Sequence, residues 1–337
     1  MATDVDRQGM LAGLEKSKKV MEDAAEFGRS IADKVDKIYL VGCGAPNRIM
    51  LGLEYWIQYY SPSTEVRRYF PAEFMAQDPK RFDERTFVLL GSKSGTTPET
   101  VAAAEFVKDR PCITASVTQT ADLPLAKAVQ TAFLMGETDQ AHTGMFMVMQ
   151  ALIGGFLAAK DGWNLHPKLM RSLAALPEAM VETQLATEAR AAEEARLLKD
   201  DRNIYHVASG PMFNTAYVIG VCILMEMQWL HSYPIEAAEF FHGPFEILDA
   251  NTPFIMMLGE DPSRPLMERV LRFAKKHTER IYVYDSRDYA MTGIDPEIRP
   301  IVAPYIVETA LYRICVRLAV WHNHPLSTRR YMWKSEY

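Results

Sequence analysis

A short apolar strand that ends at glycine and leads into a helix occurs once in each half of the chain. The first copy lies at 37–44 and reads Lys-Ile-Tyr-Leu-Val-Gly-Cys-Gly, and a helical stretch follows it at 48–60. The second copy lies at 203–210 and reads Asn-Ile-Tyr-His-Val-Ala-Ser-Gly. Such a unit opens a doubly wound α/β domain, whose ligands collect at the carboxyl ends of its strands. Its recurrence predicts two copies of one architecture.

The remaining pattern alternates apolar runs with helical segments, as parallel sheets with crossover helices require. Strands are predicted at 65–70, 86–91, 112–117, 131–135, 253–259, 281–285 and 300–302, and helices at 5–35, 98–108, 145–159, 213–231 and 306–321. An acidic, alanine-rich helical segment covers 163–200. We therefore predict an α/β protein with a first domain at 1–165, a helical connector at 166–200 and a second domain at 201–337.

Length, charge and cysteine content narrow the class of protein. The 337 residues exceed what one hydrophobic core usually supports, and the net charge of −6 argues against nucleic acid or an anionic membrane as a partner. No run reaches the roughly 20 apolar residues of a spanning helix, and the N-terminus lacks the pattern of a signal peptide. The four cysteines form no CxxC pair. These features predict a cytoplasmic protein without a metal site.

The turn after the third predicted strand carries four hydroxyl side chains in six residues. It reads Gly-Ser-Lys-Ser-Gly-Thr-Thr-Pro at 91–98 and leads into a helix. Hydroxyls, a glycine and the free N–H groups of a helix N-terminus favour a phosphate, although a plain N-cap is the alternative interpretation. A dinucleotide is not favoured, because Gly42 and Gly44 are followed by Asn47 where the GxGxxG fingerprint needs a third glycine.

Glu226 lies inside an apolar helical stretch, and His242 precedes Gly243 and Pro244 sixteen residues later. Unpaired carboxylates are rarely buried, and burial raises the pKa of one that is. The separation is too long for one helix face, so the two side chains belong to successive elements. A carboxyl group shifted toward neutrality and an imidazole can move protons near pH 7. Alternatively, the glutamate pairs with an arginine and the histidine is an ordinary turn residue.

Two further segments carry candidate ligand-binding residues. His142 precedes a long apolar helix, where it either contacts a ligand or caps the helix. In the C-terminal tail, the His-Asn-His sequence at 322–324 has no nearby acidic ligand, so it does not predict a metal site. Arg329 and Arg330 follow it, and they either reach toward an anionic ligand or lie at the surface.

These motifs together resemble the double sugar-isomerase (SIS) proteins, which include the isomerase half of glucosamine-6-phosphate synthase. The resemblance rests on two α/β halves, the turn at 91–97, and Glu226 with the sequence Glu-Phe-Phe-His-Gly-Pro at 239–244. It covers the chain from about residue 20 to the tail. The turn is typical of the whole superfamily, whereas Glu226 with His-Gly-Pro at this spacing is more specific. The resemblance implies two tandem flavodoxin-like SIS domains.

The resemblance also implies a role for each candidate residue. Glu226 is expected to move protons between C1 and C2 of a sugar phosphate. His242 is expected to open the sugar ring in the active site of the neighbouring subunit, which implies a homodimer with active sites at the subunit interface. No cofactor is implied. The residues expected to bind the sugar 6-phosphate are Ser92, Lys93, Ser94, Gly95 and Thr97. The residues expected to bind other parts of the substrate are Gly42, Cys43, Gly44, Gln140, His142, Thr143 and Arg329.

Two departures from the synthase narrow the implied activity. The synthase has a lysine after a Leu-Ala pair in its tail, whereas residues 326–331 read Leu-Ser-Thr-Arg-Arg-Tyr, and Met1-Ala2 provides no N-terminal cysteine nucleophile of a glutaminase. The chain therefore resembles the fructosamine 6-phosphate deglycases, the fructoselysine 6-phosphate group in particular. These split phosphorylated Amadori compounds into glucose 6-phosphate and an amine. The alternatives are an aldose–ketose phosphate isomerase and a non-catalytic sugar-phosphate sensor. Several amines fit the sequence, including lysine, glutamine and aspartate.

Overall fold

The computed structural model describes residues 4–336, and the chain falls into two compact units. The N-terminal unit comprises Asp6–Pro177 with Gly293–Ile298, and the C-terminal unit comprises Glu178–Thr292 with the chain from Arg299 onward. The predicted domain bounds at 165 and 200 remain a prediction, and their outermost residues, 1–3 and 337, lie outside the described part of the chain.

The N-terminal unit is built on a five-stranded parallel sheet with the strand order β2-β1-β3-β4-β5. The order reverses between β1 and β3, and in such sheets ligands bind at the carboxyl ends of the strands beside the reversal. The register pairs Gly42, the last residue of β1, with Gly91, the last residue of β3. The strands are β1 Lys37–Gly42, β2 Glu65–Tyr69, β3 Thr86–Gly91, β4 Ile113–Thr118 and β5 Thr131–Leu134.

Helices cover the sheet of the N-terminal unit, and the central strands β1 and β3 are buried at every position. Complete burial explains why these strands read as continuous apolar runs in the sequence rather than as an alternating pattern. The helices are α1 Arg7–Ile31, α2 Ala45–Tyr60, α3 Pro71–Gln77, α4 Pro98–Val107, α5 Pro124–Lys127 and α6 Ala141–Asp161, and α7 His166–Leu198 begins in this unit.

Helices α1 and α6 approach each other closely at glycines. A Cβ atom on Gly28 of α1 would lie 2.1 Å from the backbone oxygen of Leu152, and one on Gly155 of α6 would lie 2.1 Å from that of Ala25. Neither contact can be relieved by a side-chain rotation, because the opposing atoms belong to the backbone. The absence of a side chain at both positions therefore sets the distance between the two helices.

Two helical stretches are long and apolar enough to span a bilayer, namely Ala141–Asp161 and Gly210–Gln228. Within the fold, 89% and 56% of their apolar windows are buried, respectively. A helix that is apolar on all sides is also what the interior of a large globular core requires.

The C-terminal unit repeats the topology with four parallel strands in the order β7-β6-β8-β9. This order matches β2-β1-β3-β4 of the N-terminal unit, so the equivalent reversal lies between β6 and β8. The strands are β6 Asn203–Ala208, β7 His231–Glu236, β8 Phe254–Leu258 and β9 Ile281–Asp285, and the helices are α8 Phe213–Tyr217, α9 Glu226–Gln228, α10 Arg264–Ala274 and α11 Arg299–Trp321. Residues Val218–Met225, between α8 and α9, form a π-helix.

Two sequence predictions are wrong in the C-terminal unit. The strand predicted at 300–302 is the first turn of α11, where Pro300 is tolerated because N–H groups there have no intrahelical partner. The helix predicted at 213–231 ends at Gln228, and β7 begins at His231. Pro234 interrupts the apolar pattern of β7, which is an edge strand and can therefore contain a proline. The other predicted strands overlap observed ones, two of them, 86–91 and 281–285, with identical bounds.

Gly155→Ala is expected to lower the free energy of unfolding by about 1–3 kcal/mol, because its methyl group must push the backbones of α1 and α6 apart. Gly52→Ala is the matched control, since Gly52 lies inside α2 and its added Cβ would meet nothing within 4 Å. The control should be neutral or up to about 1 kcal/mol more stable, as expected for alanine in a helix. Urea unfolding measures both changes. Equal changes in the free energy of unfolding of the two variants would contradict the close approach of α1 and α6.

Candidate active site

The turn between β3 and α4 directs its hydroxyl groups toward one another. Ser92 is only 2% exposed, its Oγ lies 2.8 Å from Thr97 Oγ1, and it accepts a hydrogen bond from the Gly95 N–H at 3.1 Å. Gly95 has a φ of +59°, and a Cβ there would lie 2.7 Å from Thr118 Oγ1. The glycine is therefore required both by the backbone conformation and by the space available.

The N-terminus of α4 has no side-chain cap. Thr97 occupies the N-cap position, but its hydroxyl is used in the contact with Ser92 and accepts no N–H of the helix. Among residues 4–336, the backbone N–H groups of Lys93 and Ser94 also have no hydrogen-bond acceptor. The turn is thus not a plain N-cap. Free N–H groups and the positive end of a ten-residue helix suit an anion, and phosphate binding here remains our prediction.

The glycine loop after β1 lies beside this turn, because β1 and β3 are neighbouring strands. Cys43 Sγ lies 3.7 Å from Thr100 Oγ1, in the first part of α4. Burial raises the pKa of the Cys43 thiol, so the group is neutral rather than a thiolate nucleophile. Gly44, with a φ of +59°, turns the chain into α2. The structure therefore brings two of the predicted binding segments, 42–44 and 92–97, to the same reversal of strand order.

The third predicted segment of the N-terminal unit lies at the start of α6. Gln140 precedes the helix and lines a cavity of 180 Å³ together with Thr138 and residues at the start of α1. His142 is half-buried and Thr143 is buried in the first turn. A ligand-binding role for these three residues remains a prediction.

Glu226 follows the π-helix directly and is the first residue of the short helix α9. The helix then ends at Trp229, which has a left-handed backbone with a φ of +57°. π-Helical segments and strained backbone conformations both occur frequently at functional sites. The glutamate side chain is 27% exposed, so it is partly removed from water but still accessible to a ligand.

Arg329 of the C-terminal tail binds the Glu226 carboxylate, with Nη2 2.8 Å from Oε1. The arginine side chain is 9% exposed, and its Nη1 donates to the carbonyl oxygens of Leu326 and Thr328, which fixes the guanidinium group. Burial raises the pKa of Glu226, and the Arg329 charge and hydrogen bond oppose that shift without cancelling it. Both interpretations of Glu226 from the sequence therefore apply, because it is partly buried and also paired with an arginine.

A cavity of 460 Å³ opens beside this ion pair. Two segments of the C-terminal unit form it, one after the π-helix and one in the tail. Arg330 stacks on Trp229, with its guanidinium carbon 4.1 Å from the ring centroid. Trp229 was not selected from the sequence, because an aromatic residue in an apolar helix usually belongs to the core. The lining residues are Met225, Glu226, Trp229, Leu230, His231, Arg329, Arg330, Tyr331 and Met332.

His242 does not line this cavity within its own chain. It lies exposed in a turn, where its backbone N–H donates to the Glu239 carbonyl oxygen at 2.9 Å. Gly243, with a φ of +134°, and Pro244 follow and redirect the chain. The loop thus presents an exposed imidazole on a turn of restricted conformation.

A second carboxyl group with a raised pKa lies in the C-terminal unit. Burial raises the pKa of Glu236, at the end of β7, to about 7, although the backbone N–H groups of Ala237 and Ala238 oppose the shift. Glu236 was not selected from the sequence, because β7 was not predicted and the position of Glu236 at the end of a strand was therefore unknown. Glu236 is not among the residues that line the cavity beside Glu226.

Comparison with known proteins identifies the family. No protein-family model matches the chain. The chain is 36% identical over 323 residues to fructosamine deglycase FrlB from Bacillus subtilis, which spans 95% of this chain and 98% of that protein. The chain belongs to the fructosamine deglycase family. It is also 32% identical to an agropine synthesis conjugase from Rhizobium rhizogenes, covering 90% and 87% of the two chains. Fructoselysine 6-phosphate deglycase from Escherichia coli is 28% identical, with coverage of 88% and 85%.

Solved structures place the deglycase fold among the phosphosugar isomerases. A Bacillus subtilis protein assigned to that group superimposes with a TM-score of 0.90 at 35% identity, covering 96% and 99% of the two chains. The C-terminal domain of glucosamine-fructose-6-phosphate aminotransferase from Francisella tularensis gives a TM-score of 0.81 at 14% identity, covering 94% and 96%. The second match concerns the fold alone. The prediction of two tandem SIS domains is confirmed.

Arg329→Met is expected to destabilise the protein in a pH-dependent manner. Near about pH 7 the variant leaves a partly buried Glu226 carboxylate unpaired, at a cost of about 1–3 kcal/mol of unfolding free energy, less than for a fully buried pair. As the pH falls through the raised pKa of Glu226, the carboxyl group takes up a proton and most of this cost disappears. Urea unfolding at a series of pH values measures the difference from the wild type.

Two controls separate charge from packing in this experiment. Glu226→Gln in the Arg329→Met background should remove the pH-dependent part, because no charge is left to be unpaired. Arg269→Met changes an exposed arginine, which stacks on Phe241 at 4.2 Å, and it should cost little at any pH. If Arg329→Met lowers the free energy of unfolding by the same amount at every pH, a stabilising role for the ion pair is contradicted.

Proposed function

We propose that this protein hydrolyses a fructosamine 6-phosphate to glucose 6-phosphate and a free amine. The observation that carries the proposal is the 36% identity, over nearly the whole of both chains, to a fructosamine deglycase. The Glu226–Arg329 pair in an open cavity supports it, because the reaction needs a group that can both remove and return a proton.

The turn at 92–97 is the proposed site of the substrate phosphate. A phosphate monoester carries a charge of about −1.5 to −2 near neutral pH, and it can replace the hydroxyl–hydroxyl contact of Ser92 and Thr97 as their hydrogen-bond partner. The hydroxyl of Ser94 and the N–H group of Lys93 supply further donors, and the Gly95 N–H would exchange its bond to Ser92 Oγ for one to the phosphate. Gly42–Gly44, together with Gln140, His142 and Thr143, are the proposed contacts of the sugar.

Glu226 is the proposed proton carrier. In the open-chain substrate, its carboxylate removes a proton from C1, and the C2 carbonyl oxygen takes a proton from water to become the hydroxyl of an enaminol. The same group returns the proton to C2, and nitrogen gives up its proton to water, which leaves an imine between C1 and nitrogen. Water then adds to C1, the C1–N bond breaks, and nitrogen leaves as the amine with a proton. His242 is the proposed acid–base group for opening the sugar ring. These steps need only proton transfer and water.

Arg329 suits Glu226 to both halves of this cycle. Burial by itself favours the protonated form of a carboxyl group, which is a poor base, whereas a strongly paired carboxylate is a poor acid. The guanidinium group opposes the effect of burial on the pKa of Glu226 and thereby favours the ionised form that can act as a base. Its hydrogen bonds to the tail also fix the direction of the carboxylate. We therefore assign Arg329 to positioning Glu226, with contact to the substrate as its predicted second role.

A second candidate function is the reverse reaction. The agropine synthesis conjugase is named for joining two components, and it is 32% identical to this chain. An enzyme accelerates a reaction in both directions, so the same residues could condense a sugar phosphate with an amine. An aldose–ketose isomerase would also use Glu226 and His242, but it would release no amine. A sensor would bind the sugar phosphate without turnover.

We further propose that this protein is a cytoplasmic homodimer and that its active sites lie at the subunit interface. The support is the resemblance to SIS proteins, together with the exposure of His242 and its absence from the lining of the cavity in its own chain. A histidine supplied by the partner would account for both features.

Glu226→Gln is expected to lower the release of glucose 6-phosphate and free lysine from fructoselysine 6-phosphate by about 10²–10⁴-fold while substrate binding persists. Glu236→Gln, which removes the other carboxyl group of raised pKa, is the matched control and should stay active. Fructose 6-phosphate tested in parallel detects an isomerase. Unchanged turnover in Glu226→Gln would remove this residue from the mechanism, and isomerisation without lysine release would contradict the deglycase.

Mixing two inactive variants tests the subunit origin of His242. If His242 acts in the partner's site, a heterodimer of Glu226→Gln and His242→Ala chains contains one complete site. Random exchange of equal amounts should then restore about one quarter of the wild-type activity. Each variant alone is the control. No recovery in mixtures whose subunit exchange is verified would contradict the shared site.

A further inference from the structure

The cavity beside Glu226 has a cationic and aromatic rim that the proton transfers do not use. We define the rim as Trp229, Arg330 and Tyr331, all of which line the cavity. Trp229 is 39% exposed and Tyr331 is 67% exposed. Aromatic side chains grouped at the mouth of a cavity are typical of ligand contacts.

Trp229 is held in place before any ligand arrives. Its left-handed backbone is unusual for a bulky residue, and its ring packs edge-on against His324 with 4.4 Å between the ring centroids. Arg330 covers the ring from another side, 4.1 Å from the centroid. A guanidinium group stacked in this way keeps its N–H edge free to bind a planar anion through two hydrogen bonds.

The charges of the lining do not cancel. Arg329 is neutralised by Glu226, whereas Arg330 has no carboxylate partner among residues 4–336. The carboxylate and the two guanidinium groups of the lining therefore sum to one positive charge, in a chain whose net charge is −6. A cation left unpaired beside a proton-transfer group favours a substrate that brings its own negative charge.

We propose that Arg330 and Trp229 bind the carboxylate of an amino acid linked through its α-nitrogen to C1 of the sugar. This inference rests on the proposed deglycase function. Glu226 acts at C1, the carbon that bears nitrogen, whereas the phosphate is at the far end of the sugar and has its own predicted turn. An α-linked amino acid carries its carboxylate only one carbon beyond nitrogen, so that group enters the same cavity as C1. The substrate class is thus the α-linked fructosamine 6-phosphates of amino acids.

A pair of substrates that differ only in the carboxylate tests this assignment. The 6-phosphates of fructosyl-alanine and fructosyl-ethylamine have the same linkage and nearly the same apolar part. A hydrogen-bonded charge pair predicts that the wild type prefers the alanine compound by about 10- to 100-fold in kcat/KM. Arg330→Gln should remove this preference by lowering the rate for the alanine compound alone, and Arg330→Lys should keep part of it.

Arg269→Gln is the matched control, because Arg269 is also exposed and also stacks on an aromatic ring, but lies outside the cavity. It should keep the full preference, and thermal melting should show that both variants remain folded. Equal wild-type rates for the two compounds would overturn the carboxylate subsite while leaving the deglycase intact. The carboxylate subsite would also be overturned if Arg330→Gln lowered both rates equally, or if the wild type cleaved fructoselysine 6-phosphate alone. Failure to cleave any of the three compounds would instead reject the proposed function.

Discussion

The ion pair between Glu226 and Arg329 determines how the candidate site is assembled. It joins a helix end to the C-terminal tail, two segments that lie far apart in the chain, and it forms one side of the cavity. It also balances two opposing effects on one carboxyl group, because burial raises its pKa and the guanidinium group lowers it. Two opposing effects of this kind suit a group that must both take and return a proton, as sugar enolisation requires.

The two units use one topology to build two chemically different turns. At the strand-order reversal of the N-terminal unit, hydroxyls and free N–H groups surround Ser92 and suit an anion. At the equivalent reversal of the C-terminal unit, the Ser263 hydroxyl donates to the buried carboxylate of Asp261 at 2.6 Å, and its oxygen also lies 2.9 Å from Ser209 Oγ. A carboxylate repels anions, so the turn after β3 suits an anion better than its counterpart after β8 does.

Features that depend on local pattern could be predicted, and features that depend on tertiary contact could not. The strands at 86–91 and 281–285 were predicted correctly because each is a short apolar run between clear turn signals. The unusual position of Glu226 was visible from its apolar neighbours alone. Its pairing with Arg329 was not, since nothing in the tail indicates which of two adjacent arginines turns inward. β7 was missed because Pro234 resembles a break until the strand is known to lie at a sheet edge.

The π-helix before Glu226 makes the length of that segment as important as its composition. A π-helical segment accommodates more residues per turn than an α-helix, and it commonly arises by insertion into one. Deleting a single residue from 218–225 would let the backbone return to regular α geometry and remove the wide turn that precedes Glu226. The position of the carboxylate relative to Arg329 would then change although no site residue had been replaced. Natural variation in this part of the chain should therefore consist of substitutions, with gaps confined to the surrounding loops.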